Sequence, residues 1–440
     1  MQPIVLTEWY VASPETMPEL VGLELGNDKA RQLAEALTRN GRLAVLELRR
    51  GLRIETTSFV GSLRIGPIQL SIQPKLQGMP LLNLLRYAYG LRHLELFSPQ
   101  KQGVQPDAFQ DLLCHQLAAE AEELISRGLH RRYERRHELL ASPRGRIDFT
   151  QLAGRAGTAQ SSLPCIHHPR LQDTLINQVL LAGLQSAARL THDLPLRTHL
   201  RRLAALLDDQ VTPVRLVAET MQQVRHQGDR LVATYQPALA IVELLMEAQG
   251  TVLEAGERGV PVPGFLFDMN RFFQALISRF LHDFLPAYTV RDEYRLRDML
   301  AFVPERNPQS RQSPTPRPDF LVQDGSRTVA LLDTKYRDLW AETLPRDMLY
   351  QLVIYALSQD PVGQAIILYP TLNSAATEAW IEVRDPLLSS RRALVVLRPV
   401  DMSKLACLVS APRTATHDRA TREYAYQLAV GGEFSVRAKA

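Results

Sequence analysis

The stretch that decides the fold is Arg317-Pro318-Asp319-Phe320-Leu321-Val322, followed closely by Val329-Ala330-Leu331-Leu332-Asp333-Thr334-Lys335-Tyr336. Both pieces contain apolar runs of strand length, and the intervening Asp324-Gly325-Ser326 has the residue types of a tight turn. The pattern therefore predicts a β-hairpin.

The polar residues of this hairpin are predicted to meet at one end. A loop centred on Ser326 would place Asp319 across the ladder from Asp333, at the distance of neighbouring cross-strand side chains. Side chains alternate along a strand, so Asp333 and Lys335 share one face while Thr334 points to the other. The hairpin is thus expected to gather two carboxylates and one ammonium on one surface.

This set of groups suits metal-assisted cleavage of a phosphodiester. The carboxylates of Asp319 and Asp333, with the main-chain carbonyl of Thr334, would form a hard oxygen site of the kind that Mg²⁺ prefers. The metal would lower the pKa of a bound water and neutralise charge on the phosphate. Lys335 could hold or deprotonate the attacking water, or offset the developing negative charge. The alternative is a surface hairpin whose charged ends are merely solvated.

Pro318-Asp319 and Asp333-Thr334-Lys335 resemble the PD-(D/E)xK nuclease motif. Only six of the 51 basic residues are lysines, yet a lysine stands where this chemistry needs an ammonium. Arginine could not replace it, because only lysine is a compact charge that is able to lose its proton. The choice of residue favours the nuclease interpretation over the solvated hairpin.

The segment after the hairpin supports the same interpretation. Residues 344–357 predict a helix with Asp347, Gln351 and Tyr355 on one stripe. Gln351-x-x-x-Tyr355 resembles the motif that follows the catalytic lysine in RecB-like nucleases, which implies catalytic roles for both residues. The uniformly apolar run 365–370 predicts a strand buried on both faces. Strand, strand, helix, strand is the order of the nuclease core.

Composition sets broad limits. The 440 residues are 45% hydrophobic and 22% charged, which is ordinary for a globular protein and long enough for two or three domains. No apolar run approaches the roughly 20 residues needed to span a bilayer, and the start lacks the pattern of a signal peptide. Three scattered cysteines fit reduced thiols, so we expect a cytoplasmic protein with no membrane partner. The net charge of +4 is compatible with nucleic acid but is weak support for it.

The order of patterns predicts an α+β multidomain protein. We expect a β-rich module over residues 1–78, a mainly helical region over 79–250, a nuclease domain with a mixed α/β sheet over 265–410, and an unassigned polar tail over 411–440. Glycine and proline in residues 249–264 mark a domain boundary. The β-rich module and the nuclease domain are expected to have separate cores and to be separable.

Local patterns predict the individual elements. The expected strands lie at 42–48, 52–59, 62–65, 68–72, 289–296, 393–397 and 405–409, with glycines 51, 61 and 66 as separators in the β-rich module. The expected helices lie at 28–40, 81–89, 108–127, 173–190 (capped by Asp173), 194–207, 237–248 and from 267 to about 284.

Five ordered stretches resemble McrC, the nuclease subunit of the McrBC modification-dependent restriction system. They are Ile72-Gln73-Pro74-Lys75-Leu76, Gly145-Arg146-Ile147-Asp148, Asp173-Thr174-Leu175-Ile176-Asn177-Gln178-Val179-Leu180, Phe267-Asp268-Met269-Asn270, and the hairpin with its helix. The resemblance covers about residues 40 to 370. It implies an endonuclease for modified DNA in anti-phage defence, which is active only in a complex.

The resemblance also implies a partner, a hexameric AAA+ GTPase of McrB type. The partner would recognise modified DNA and translocate, while the N-terminal half of this chain would dock on it and stimulate GTP hydrolysis. The chain contains no Gly-Lys dipeptide and hence no phosphate-binding loop of its own, which agrees with this division of labour.

One departure from the family pattern leaves alternatives open. Many relatives carry glutamate, a further acid near the metals, close to the position where this chain has Gln274. The first alternative is a catalytically weak adaptor that activates an AAA+ ring. The second is a stand-alone RecB-like DNA repair nuclease, which shares the core but not the upstream stretches.

Overall fold

The structure of the chain is a computed structural model. It describes residues 4–92, 109–154, 161–226, 230–249, 252–253, 260–261, 264–297, 299–359, 363–411 and 414–432. None of the helices within these ranges combines the length and the apolar character needed to cross a membrane.

The described residues form twenty strands and twelve α-helices, in runs of strands and runs of helices. The strands are β1 (Ile4–Thr7), β2 (Val11–Ala12), β3 (Leu43–Leu48), β4 (Gly51–Thr56), β5 (Phe59–Ile65), β6 (Ile68–Gln73), β7 (Arg132–Tyr133), β8 (Arg136–Leu140), β9 (Arg146–Ile147), β10 (Leu163–His167), β11 (Arg170–Leu171), β12 (Val252–Leu253), β13 (Val260–Pro261), β14 (Gly264–Asp268), β15 (Thr289–Asp292), β16 (Phe320–Asp324), β17 (Arg327–Thr334), β18 (Gly363–Thr371), β19 (Ala379–Arg384) and β20 (Arg391–Asp401). The helices are α1 (Asp28–Arg39), α2 (Gly78–Tyr89), α3 (Phe109–Arg127), α4 (Phe149–Ala153), α5 (Leu175–Leu190), α6 (Leu194–Asp208), α7 (Ala218–His226), α8 (Gln236–Gln249), α9 (Met269–Phe284), α10 (Arg346–Leu357), α11 (Met402–Ser410) and α12 (Ala415–Ala429).

Main-chain contacts divide the chain into two compact units, the first formed by residues 1–91 with 252–440 and the second by residues 92–251. The sequence predicts a different division, with 1–78 separate from 265–410. The two segments belong to one unit because β14 pairs antiparallel with β5. Patterns within a short window cannot show a pairing between strands so far apart in the chain. The N-terminal strands and the large sheet therefore belong to one compact unit.

The N-terminal strands of the first unit form two small sheets. The N-terminal sheet has the order β1-β6-β5-β14, and a second sheet has the order β2-β4-β3. The predicted run 52–59 is two strands, because the chain leaves one sheet at Thr56 and enters the other at Phe59. Gly61, predicted to separate strands, lies inside β5 at a φ of +131°, where a Cβ would be 2.3 Å from the carbonyl oxygen of Phe265. Only glycine allows β14 to approach so closely.

Helix α9 follows β14 without a loop. The side chain of Asp268 caps it by accepting a hydrogen bond from the backbone N–H of Asn270, and the N–H of Met269 donates to the carbonyl of Ser58 at 3.0 Å. The position of α9 is therefore set by the N-terminal sheet.

The large sheet of the first unit has six strands in the order β15-β16-β17-β18-β20-β19. Strands β17, β18 and β20 run parallel to one another and the remaining neighbours are antiparallel, which confirms the predicted mixed sheet. The predicted strand 365–370 lies within β18, which is buried along almost its whole length. Helix α10 connects β17 to β18 and packs its apolar side on β18 and β20. The predicted strand 289–296 is shorter, since β15 ends at Asp292.

Two predictions for the C-terminal residues are wrong. The apolar run 405–409, predicted as a strand, is helical and belongs to α11, which Asp401 caps by accepting from the N–H of Lys404. A short apolar run has no periodicity that distinguishes a strand from a helix, so the capping residue is the better signal for the helix. The segment described from 414 on was predicted as a polar tail, but it forms α12, which packs Tyr424 against Phe280 of α9.

The second unit is mainly helical, with α3, α5, α6 and α8 packed together. The predicted helices at 108–127, 173–190, 194–207 and 237–248 are confirmed with small shifts in their ends. The prediction that Asp173 caps α5 is wrong. Asp173 instead accepts hydrogen bonds from Thr212 and Gln178. The buried Asn177 donates to the carbonyls of His130 and Gln172, which explains a polar residue on the inner face of α5.

Glu8, just after β1, is a buried acid in the first unit. Its side chain is 1% exposed, and Oε1 accepts hydrogen bonds from the N–H of Lys75 at 2.7 Å and from the hydroxyl of Tyr336 at 3.0 Å. Burial raises the pKa of Glu8 from 4.5 to about 7, against the opposing effect of these hydrogen bonds.

The Glu8 carboxyl should make the first unit less stable as the pH rises. Between 4.5 and 7 the unfolded chain loses this proton while the folded chain retains it, so stability falls through that window and levels off above it. Replacing Glu8 by Gln mimics the protonated form. On going from pH 5.5 to pH 8, the free energy of unfolding of the variant should rise by about 2 kcal/mol relative to that of wild type.

Denaturant unfolding of both proteins at the two pH values measures this difference. Glu15→Gln, which removes an exposed carboxylate from the same segment, is the matched control. Parallel pH dependence in wild type and Glu8→Gln would contradict the assignment.

Candidate functional site

The predicted hairpin is confirmed. Strands β16 and β17 pair antiparallel with Phe320 opposite Leu332, so the next residues outward are Asp319 and Asp333. Both polar residues therefore stand at the end of the hairpin that is remote from its turn, as the sequence predicts.

The tip of the hairpin differs from the prediction in detail. Asp324 pairs with Arg327, so the turn is the dipeptide Gly325-Ser326, with Gly325 at a φ of +59°. A two-residue turn alone would shift the register by one position. The bulge at Val329 removes that shift, because this residue has no partner on β16.

The carboxylate of Asp319 is held through both oxygens. Oδ2 accepts from the backbone N–H of Thr334 at 2.7 Å and from its hydroxyl at 2.6 Å, while Oδ1 accepts from the amide of Gln274 at 3.1 Å. The carbonyl of Asp319 accepts in addition from the N–H of Glu293 at 2.7 Å. Strand β17, helix α9 and the loop after β15 therefore all fix this residue.

Asp333 is paired with Lys335. The distance from Nζ to Oδ2 is 2.9 Å, and Asp333 is only 2% exposed. Burial, and then the charge of Asp319, raise the pKa of Asp333 to about 6, against the opposing effect of Lys335. Burial disfavours the ammonium of Lys335, but the charge and hydrogen bond of Asp333 and the charge of Asp319 outweigh it, so the pKa of Lys335 is raised.

Helix α10 adds Gln351 and Tyr355 to this group. The amide of Gln351 donates to the hydroxyl of Tyr355 at 2.7 Å, and Tyr355 is buried. Burial raises the pKa of Tyr355, and the charges of Asp333 and Asp319 raise it further, against the effects of Gln351 and Lys335. The hydroxyl is therefore within electrostatic reach of both carboxylates. Asp347, predicted on the same stripe, is exposed one turn earlier.

The chemistry of these donors fits a hard divalent cation. Asp319 and Asp333 supply carboxylate oxygens, and the main-chain carbonyl of Thr334 is the predicted third oxygen. Within the described ranges no group of three or more His, Cys, Asp or Glu side chains could hold a metal. A site of two carboxylates completed by carbonyl and water is typical of Mg²⁺. A cation would also offset the burial and the repulsion from Asp319, which together raise the pKa of Asp333.

A cleft of about 920 Å³ lies along β15 and the loop after it. Its lining includes Arg291, Arg295 and Arg297, together with Glu293, whose N–H binds the carbonyl of Asp319. Guanidinium groups suit phosphate oxygens, and three of them lie in the lining of this cleft.

Sequence reasoning missed the residues that support this site from a distance. Asn270 accepts from the N–H of Tyr336 at 3.2 Å, and Glu8 accepts from its hydroxyl. Asn270 lies in a motif that was identified without a role, and no local pattern marks Glu8. The amide of Gln274, on the second turn of α9, contacts Asp319.

Comparison with solved structures shows the same fold in a known assembly. A chain of the half-complex from the tetradecameric assembly of Thermococcus gammatolerans McrB AAA+ hexamers with bound McrC matches at a TM-score of 0.62 and 20% identity, covering 96% of this chain and 98% of that chain. A chain of the cryo-EM structure of the T. gammatolerans McrBC complex matches at 0.44 and 20% identity, covering 66% and 90%, which is too weak to bear on the fold. A comparison with curated proteins finds no match.

The sequence itself carries the family relationship. Residues 54–370 match the family model described as McrBC 5-methylcytosine restriction system component, which is well over half of the chain. The match includes β5, β6 and β14 of the N-terminal sheet, the second unit and the polar end of the hairpin. The chain therefore belongs to the family of McrBC 5-methylcytosine restriction system components, and its predicted resemblance to McrC is confirmed.

Proposed function

We propose that this chain is the endonuclease subunit of a modification-dependent DNA restriction complex, with a PD-(D/E)xK core formed by the large sheet and α10. The observation that carries the proposal is the meeting of Asp319, Asp333 and Lys335 at one end of the β16–β17 hairpin. Three ionisable groups of this kind at the end of apolar strands serve chemistry better than stability, because burying them costs free energy.

Asp319 and Asp333 would hold Mg²⁺ together with the carbonyl of Thr334. When bound, the ion supplies a water of lowered pKa and compensates charge on the phosphate. Lys335, held by Asp333, can donate a hydrogen bond to the attacking water and offset negative charge in the transition state. Gln274 and Thr334 keep Asp319 in one orientation.

Gln351 and Tyr355 would complete the site from α10. The hydroxyl of Tyr355 accepts from Gln351, which leaves its own proton free to point toward the carboxylates or a phosphate oxygen. This arrangement supports a role in orienting groups around Lys335 rather than in proton transfer, because burial raises the pKa of Tyr355.

A hexameric AAA+ GTPase of McrB type is the proposed partner. The solved relative comes from an assembly of McrB AAA+ hexamers with bound McrC. The absence of a Gly-Lys dipeptide from this sequence supports the same division of labour, with nucleotide hydrolysis and recognition of modified DNA in the partner. We propose that this chain also stimulates GTP hydrolysis by that partner.

A catalytically weak adaptor remains the second candidate, because an amide at Gln274 occupies one oxygen of Asp319. The buried pair of Asp333 and Lys335 favours the nuclease, since an adaptor would gain nothing from its cost. A stand-alone repair nuclease is disfavoured by the family match upstream of the core.

Asp333→Asn should abolish DNA cleavage by the assembled complex. We expect a loss of at least about a hundredfold, since the variant loses a charged metal ligand worth several kcal/mol. The substitution removes both the repulsion from Asp319 and the ion pair with Lys335, which act on stability in opposite directions, so the melting temperature is measured to show that the variant is folded. Asp324→Asn, at the opposite end of the same hairpin, is the control for both measurements. Wild-type cleavage in Mg²⁺ by Asp333→Asn would refute the site.

The purified chain without its partner should cut unmodified duplex DNA very slowly. Recognition is assigned to the partner, and a net charge of +4 supplies little non-specific affinity. A plasmid nicking assay with and without the partner and GTP tests this. Rapid cleavage by the chain alone would instead support the stand-alone repair nuclease.

Lys335→Ala should stop cleavage while leaving stimulation of the partner's GTP hydrolysis near the wild-type level. The lysine side chain contacts Asp333 at the polar end of the hairpin, whereas docking is assigned to the N-terminal half. A GTPase assay of the variant in complex measures it. Loss of stimulation in a variant with a normal melting temperature would show that cleavage site and stimulation are linked.

A further inference from the structure

The residue after Lys335 is held more firmly than the hairpin alone requires. The hydroxyl of Tyr336 donates to Glu8 at 3.0 Å, its backbone N–H donates to Asn270 at 3.2 Å, and its ring meets that of Phe273 edge to face at 6.0 Å. We call Glu8, Asn270 and Tyr336 the Tyr336 clamp. On the other side, the N–H of Lys335 donates to the carbonyl of Leu368.

Both acceptors of the clamp are tied to the N-terminal strands. The N–H of Glu8 donates to the carbonyl of Gln73 at the end of β6, and its carboxylate accepts from Lys75. The amide of Asn270 donates to the hydroxyl of Ser58 at 2.6 Å. The chain beyond Lys335 is thereby anchored to residues that lie far from it in sequence.

The clamp carries costs that stability does not explain. Oε2 of Glu8 is buried with no hydrogen-bond partner, and the next residue, Trp9, has a left-handed φ of +54°. Arg337, directly after Tyr336, stacks its guanidinium over the Trp9 ring at 5.1 Å. A buried unsatisfied carboxyl and a strained backbone are costs that proteins retain where geometry matters.

We propose that Glu8 and Asn270, acting through Tyr336, are positioning residues for Lys335, so that the N-terminal sheet is part of the cleavage site. The inference rests on the proposed nuclease function. With Leu368 on one side and the clamp on the other, the backbone of Lys335 is fixed from both directions. The ammonium is thus kept at 2.9 Å from Asp333. A displacement of about 1 Å at a reacting centre can cost roughly a hundredfold in rate.

Tyr336→Phe in the full chain with its partner is the central test. The variant keeps the ring against Phe273 and loses only the hydrogen bond to Glu8. At saturating DNA and Mg²⁺ we expect the cleavage rate constant to fall by about tenfold or more, with unchanged DNA affinity. Tyr424→Phe is the matched control, because it also removes one hydroxyl from a buried tyrosine of the first unit, where the partner is the N–H of Asp401.

Substitutions at Glu8 separate positioning from packing. Glu8→Gln keeps an acceptor for Tyr336 and should cut at close to the wild-type rate. The cleavage rate constant of Glu8→Ala should be reduced as much as that of Tyr336→Phe. The double variant Glu8→Ala/Tyr336→Phe should be no slower than either single variant, because both remove the same hydrogen bond. Equal melting temperatures for Tyr336→Phe and Tyr424→Phe, with unequal rates, support positioning.

Hydrogen exchange gives a readout that does not depend on cleavage. The amides of residues 333–337 should exchange faster in Tyr336→Phe than in Tyr424→Phe. If Tyr336→Phe cuts DNA as fast as Tyr424→Phe while Asp333→Asn is inactive, positioning is overturned and the nuclease stands. If the wild-type complex does not cut DNA at all, the proposed nuclease function is refuted, and so is a role of the clamp in cleavage. If the amides of residues 333–337 exchange equally fast in Tyr336→Phe and Tyr424→Phe, the clamp does not hold this segment.

Discussion

The antiparallel pairing of β14 with β5 is the contact from which the rest of the first unit follows. It depends on Gly61, since any side chain there would collide with the backbone of β14. Once β14 is in place, α9 must start at Met269, next to Ser58. The first turn of α9 then delivers Asn270 to Tyr336, and the second delivers Gln274 to Asp319. A main-chain pairing thus determines the environment of Asp319 and of the residue that follows Lys335.

The two carboxylates of the site are stabilised in different ways. Asp319 is surrounded by hydrogen-bond donors from Thr334 and Gln274, whereas Asp333 relies on one ammonium in a buried position. An amide at Gln274 donates a hydrogen bond where a glutamate would add a third negative charge. Gln274 therefore keeps Asp319 oriented without adding to the repulsion at the site.

Features that depend on residues close together in the sequence could be predicted, whereas the pairing of strands far apart in the sequence could not. The turn residues, the strand alternation and the spacing of Gln351 and Tyr355 all act within a few residues, and the structure brings these groups together. Asp319 and Asp333 could be placed opposite each other for the same reason, although the bulge that secures their register gave no signal. The two compact units differ from the predicted division because they depend on the pairing of β5 with β14, which lie far apart in the sequence.

The same limit explains the errors near the C terminus. Residues 405–409 are apolar enough for a strand or a helix, and the choice is made by the cap at Asp401. The stretch that forms α12 looks polar because its buried face is small, with Tyr424 and Leu428 as its main contributions. Burial against α9, rather than local composition, makes this helix part of the core.

The order in which the ribosome makes the chain gives the β5–β14 pairing a consequence for biogenesis. Strand β5 emerges early, but its neighbour β14 follows only after the whole second unit, a delay on the order of 10 to 40 seconds at ordinary synthesis rates. During that interval β5 presents an open strand edge, which is a surface that invites pairing with other chains. The nascent protein thus passes through a stage in which it is vulnerable to aggregation, and in which the groups of the candidate site cannot yet be assembled.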